Sequence, residues 1–126
     1  MGLTATSRNF LVSALVGSNT VPFDAAHAHL AVGNSNIQFQ FGQDRLQGAL
    51  TARRPMDPGY PIVNPPRITF KSTFGPDVAN FAWREWGVFN HPITGIMLNR
   101  VVEDNGAKQS GQTWVLEVDI TFDVVT

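Results

Sequence analysis

The sequence predicts an all-β fold, an antiparallel β-sandwich with a short N-terminal helix and a long proline-rich loop or arm. Three observations carry this. In residues 112–125, Trp114, Leu116, Val118, Ile120, Phe122 and Val124 are apolar and two residues apart. Glu117, Asp119, Thr121 and Asp123 lie between them, with Val115 and Val125 as exceptions. Alternate side chains of a strand point to opposite faces, so this segment has one buried face and one wet, acidic face. Each of those apolar side chains contributes about 1.5–3 kcal/mol when fully buried, before entropy. Second, short apolar runs elsewhere are separated by polar turns, the spacing of an antiparallel sandwich or barrel. Third, five prolines between Pro55 and Pro66 rule out a central strand there.

The elements follow in chain order. Residues 7–16 place Phe10, Leu11, Ala14 and Leu15 at helical spacing, and Gly17 is a stop signal. Residues 28–33 read as a short strand closed by Gly33-Asn34-Ser35. Residues 34–60 are the least regular part, and with the prolines that follow the region 34–66 reads as an extended arm or loop. Ile37, Phe39 and Phe41 alternate there, then Asp44 to Gly48, then Arg53 to Pro61. A strand resumes at Arg67, with Ile68, Phe70 and Phe74 on one face and Arg67, Thr69, Lys71 and Thr73 on the other. Gly75-Pro76-Asp77 is a turn. Residues 81–90 read as an aromatic strand in which Phe81 and Trp83 share one parity and Trp86 and Val88 the other. A bulge or twist near Arg84 and Glu85 would reconcile the two. Residues 91–95 are a hairpin connection, 96–103 a returning strand, and Asp104-Asn105-Gly106 a turn.

Composition sets the bounds. The 126 residues fit one domain, 1–126, with a real core. At 43% hydrophobic the chain is globular. No apolar run is long enough to span a bilayer, and the start carries no basic-then-apolar leader, so neither a membrane nor a secretory signal is expected. The absence of Cys excludes disulfides and thiolate chemistry. A net charge of −1 argues against nucleic acid held through its phosphates. Charged residues are 15% of the chain, against about 25% in an average domain. That fits a surface partly covered by other subunits.

Residues able to carry chemistry are few. His27 and His29 are two apart and would point the same way on a strand, but a metal site needs a third ligand. The expectation is polar strand residues and no metal. Arg84 and Glu85 lie between Trp83 and Trp86. A buried Arg–Glu pair most often satisfies charge between strands or across a subunit contact. No phosphate-binding loop and no nucleophile elbow is present, and nothing groups Ser, His and Asp. No enzyme, no catalytic residues and no cofactor are expected.

One resemblance covers most of the chain. Residues 81–104, FAWREWGVFNHPITGIMLNRVVED, contain Glu85, Gly87, Val88 and Phe89, then Gly95, Met97, Leu98 and Arg100, with Lys108 and the strand from Trp114 as a close. This resembles a pattern of tailed-bacteriophage virion proteins, E-x-G-ϕ-F followed by G-x-ϕ-ϕ-x-R and a long strand, where ϕ is apolar. AHLAVGNS followed by DRLQGA is similar to an earlier pattern in the same proteins, with Asn34-Ser35 and Gly48-Ala49 as departures. The resemblance implies a non-enzymatic, oligomeric virion structural protein, assembled in the host cytoplasm and resident in the virion. Its expected partners are other virion proteins and copies of itself. A tail connector, collar or fibre-attachment piece is the first expectation, and a capsid decoration (cement) protein the second. A carbohydrate-binding module is the rival from another class, with Trp86 as its free aromatic. Arg53, Arg54, Met56, Tyr60, Arg84, Glu85 and Trp86 are the subunit-interface candidates, the first four on the arm.

Overall fold

The computed structural model describes residues 2–18 and 20–122. The chain enters through a short strand β1 (Gly2–Leu3) and then helix α1 (Ala5–Leu15). Thr4 caps the helix: its Oγ1 accepts from the Ser7 N–H at 3.2 Å, and its own N–H donates to Ser7 Oγ at 2.9 Å. Two of the orphan donors of a helix start are thereby satisfied. Gly17, at φ +73°, ends the helix with its N–H on the Ala14 carbonyl. The helix begins two residues before the expected start at residue 7, because the cap and not the apolar spacing sets the start.

Among the described residues seven more strands follow: β2 (His29–Gly33), β3 (Thr51–Pro55), β4 (Ile62–Asn64), β5 (Arg67–Phe74), β6 (Glu85–Phe89), β7 (Met97–Val102) and β8 (Trp114–Thr121). They form two sheets, β1-β7-β6-β2-β3 and β4-β5-β8, with every pairing antiparallel. The chain is an all-β sandwich with one short helix among the described residues. The main core lies between the sheets. Leu30, Val32, Trp86, Val88 and Leu98 meet Phe70, Phe74, Val118 and Ile120 there, with Trp83 beside them. Burial along β5 and β8 follows the alternation of the sequence, and Val124 and Val125 lie outside the described residues.

The structure corrects two expectations. The region 34–66 is not a free arm. It contains β3 and β4, both at sheet edges, where proline is tolerated. Residues 34–50 have no strand of their own but lie back on the outer face of the five-stranded sheet. Leu46 joins Ala31, Phe89 and Met97 there in a second, smaller apolar cluster. The aromatic strand is also shorter than its apolar run. Ala82 makes only an isolated bridge with Ala107, and regular pairing starts at Glu85. This interruption reconciles Trp83 with Trp86, both of which are core. The register shift lies later, between Val88 and Phe89, where Val88 pairs with Asn99 and Phe89 with Met97. Leu98 is the extra residue, and it turns into the main core.

Candidate functional site

Strand β6 is buried on both faces, so its two parities do different work. Trp86 and Val88 belong to the inter-sheet core. Glu85, Gly87 and Phe89 face the layer formed by residues 34–50. Across the hairpin Gly87 pairs with Arg100, and Glu85 with Val102. Arg100 is therefore the diagonal neighbour of Glu85 on one face, within reach of a long side chain.

The two side chains meet. Arg100 Nε donates to Glu85 Oε1 at 2.8 Å, and both side chains are closed off from solvent. Oε1 also accepts the Gln47 N–H at 2.8 Å. Oε2 accepts the N–H groups of Gly48 at 2.7 Å and Ser35 at 3.2 Å. Arg100 Nη1 donates to the Ile37 carbonyl at 2.9 Å and to Gln43 Oε1 at 3.2 Å. An isolated buried charge is prohibitively costly, and a buried pair is tolerated only with its remaining valences filled. Here they are filled almost completely by the backbone of residues 35–48. Arg100 Nη2 is left without a partner among the described residues.

Glycines make the room. A Cβ on Gly33 would collide with the Glu85 carboxylate, and one on Gly48 would lie 2.8 Å from Oε2 and 2.5 Å from Asn34 Oδ1. A Cβ on Gly87 would sit 2.5 Å from the Asn99 carbonyl oxygen. Chemically, the carboxylate is a fastener: every oxygen is occupied, and it binds an irregular layer to a sheet.

Beside this knot lies an open cleft of about 530 Å³ between residues 44–51 and the turn 91–95. Arg53 forms one wall. Its guanidinium carbon is 3.6 Å from the Phe89 ring centroid, and Nη1 donates to the His91 and Thr94 carbonyls at 2.8 and 2.7 Å. Burial pushes the Arg53 guanidinium below its ordinary pKa. At the rim Arg45 Nε pairs with Asp44 Oδ1 at 3.0 Å.

The seven interface candidates are thus dispersed. Arg53 is half-buried on β3, while Arg54 is exposed with Nε 3.4 Å from the Thr73 carbonyl. Met56 packs on the main core, and Tyr60 lies under Lys71 Nζ at 5.3 Å. Arg84 is exposed. Glu85 and Trp86 are 1% and 7% exposed, so neither is offered to a neighbouring subunit. The alternation within β6 assigns one to the knot and the other to the core. Glu85 does pair with an arginine, but with Arg100 and not Arg84. Adjacent strand residues point to opposite faces, so Arg84 could not reach it.

Two further groups have defined places. Lys108 is buried, and its Nζ donates to the Gly75 carbonyl and to Asn80 Oδ1, both at 2.7 Å. His27 is in a turn and not on the strand, with Nδ1 2.6 Å from Asp24 Oδ1. The hydrogen bond to His27 holds the Asp24 carboxyl below its ordinary range. His29 Nδ1 lies 2.9 Å from the His27 carbonyl oxygen. Among the described residues no three His, Cys, Asp or Glu side chains gather as a metal site would require. No family model, no curated protein and no solved structure matches this chain.

Proposed function

We propose that this chain is a non-enzymatic structural protein of a tailed-bacteriophage virion. Its station would be an oligomeric tail connector, collar or fibre-attachment component, with capsid decoration as the alternative. The observation that carries the reading is a convergence. Gly33 and Ser35 from the AHLAVGNS stretch, Gln47 and Gly48 from DRLQGA, and Glu85, Gly87 and Arg100 from the hairpin pattern all meet at one buried knot. Short motifs spread over nearly seventy residues of sequence are parts of one fastening. That supports treating them as one pattern and not as several coincidences. A rigid carboxylate fastener with no free oxygen suits a building block better than a catalyst.

The carbohydrate-binding rival loses its main support. Trp83 and Trp86 are core, and Trp114 packs edge-on against Trp83 with ring centroids 5.0 Å apart. Trp86, the aromatic expected to be free, is buried at 7% exposure and offers no face to a sugar ring.

Negative-stain microscopy of particles assembled with a C-terminally labelled copy tests the proposal. Label at the tail supports the first station, and label spread over the head supports decoration. Particles that carry none of the chain overturn the virion reading.

A further inference from the structure

The two sheets have four edges, and three are blunted. Strand β1 is two residues long and runs straight into the helix cap. Strand β3 ends in Pro55, and its outer side is tied to β5: Ser72 Oγ donates to the Arg54 carbonyl at 3.2 Å. Strand β4 has three residues and is flanked by Pro61, Pro65 and Pro66. Short length, proline and covering contacts are the usual protections of an edge. Among the described residues strand β8 has none of them. It runs eight residues from Trp114 to Thr121 without proline, glycine, lysine or a register break, and among the described residues only β5 pairs with it.

The phase of its hydrogen bonds is fixed by the next residue. The Phe122 N–H donates to the Pro66 carbonyl. In an antiparallel ladder, bonding to one neighbour recurs at every second residue. Residues 114, 116, 118 and 120 therefore bond to β5. Val115, Glu117, Asp119 and Thr121 turn their N–H and C=O groups to the open side. Among the described residues those groups have no other hydrogen-bond partner.

We infer that the free edge of β8 accepts one extended strand from a different polypeptide, with cationic and apolar side chains alternating. Pairing there would place one set of its side chains beside Glu117 and Asp119. Both acids are exposed, and Glu117 makes no ion pair among the described residues. Arg67 reaches Asp119 only at 3.9 Å. The other set would extend the apolar face of Leu116 and Val118. Opposite charges on neighbouring strands stabilise a pairing, and like charges directly opposite weaken it. A second copy is the poorer occupant for that reason. A two-fold pairing centred on Val118 sets Glu117 against Asp119 of the other copy. The inference deepens the virion reading, on which it rests for the source of the strand, by naming the chemistry of the partner.

The test uses the intact chain, isotope-labelled, and two synthetic peptides of about ten residues, long enough to match the strand. One alternates lysine with valine and the other glutamate with valine. The lysine peptide should shift and protect the amides of Val115, Glu117, Asp119 and Thr121. It should bind about tenfold more tightly than the glutamate peptide, on the scale of one or two cross-strand ion pairs. In the variant Glu117→Lys, Asp119→Lys the preference should reverse. Equal response to both peptides, no response at those amides, or self-association through them without peptide binding overturns the inference. Each of those results leaves the microscopy of labelled particles free to support the virion reading. Conversely, a chain absent from particles that binds the lysine peptide at β8 keeps the edge and loses the virion.

Discussion

Arg100 and Glu85 are fifteen residues apart in sequence and 2.8 Å apart in space, in a place water does not reach. Removing one member leaves the other as a buried, unpaired charge. Glu85→Ala and Arg100→Ala should each cost about 3–5 kcal/mol in denaturant melts. The double variant should be far from additive, because the second removal strands no further charge. Single variants within experimental error of wild type would mean that the knot contributes nothing net.

The glycine walls give a sharper comparison. Gly87→Ala forces a Cβ against backbone and should cost about 1–3 kcal/mol, as overpacking does. A Cβ added at Gly42 would meet nothing within 4 Å, and the φ of that residue is not positive. Gly42→Ala should be neutral or stabilising by up to about 1 kcal/mol, through the unfolded chain. Thermal melts that reverse this order would place the tight approach elsewhere.

Neighbouring arginines should behave differently. Arg53 stacks on Phe89 and holds two carbonyls of the 91–95 turn, so Arg53→Ala should cost about 1–2 kcal/mol. It should also speed hydrogen exchange in the amides of that turn. Arg54→Ala, at an exposed site, should change stability by less than about 0.5 kcal/mol. Equal effects would show that the stacking carries no weight.

The two faces of β8 should separate as cleanly. Ile120 is fully buried, and Ile120→Ala should cost about 2–5 kcal/mol. Glu117→Ala should stay within about 0.5 kcal/mol. Urea midpoints with the opposite ranking would invert the facing of the strand.

Asp24 supplies a pH dependence. Its folded carboxyl titrates below the ordinary 3.8, so the unfolded chain binds the proton more readily. Its contribution to stability is complete above that value and is lost as pH falls through the lowered one. The site is about half exposed, so the effect is small. Asp24→Asn should flatten the acid limb of a stability–pH curve relative to wild type. An unchanged limb would show that the bond to His27 is not kept in solution.

The sandwich, the helix and the hairpin were legible because each rests on a local period or a local turn residue. Trp114 to Ile120 alternates, and Phe10 and Ala14 share a helical face; Asp104-Asn105-Gly106, expected as a turn, instead runs extended beside residues 83 and 84, with the Asn105 N–H on the Trp83 carbonyl and the Trp83 N–H on the Gly106 carbonyl. The outer layer was not legible, because residues 34–50 have no period of their own. They are held by a carboxylate from the far side of the sequence. Glu85 drew attention, but the arginine beside it in sequence obscured the one diagonal to it. Only the register of β6 on β7, together with a one-residue shift at Leu98, brings Arg100 to that face. Prolines between Pro55 and Pro66 correctly excluded a central strand, yet they concealed two edge strands.

Strand β6 can be threaded in only one way. Slipping it by a single position would drive the Glu85 carboxylate into the hydrocarbon between the sheets and leave Trp86 facing backbone N–H groups. Neither error could be absorbed by small adjustments. A slipped register of this strand is therefore penalised on both faces of the sheet.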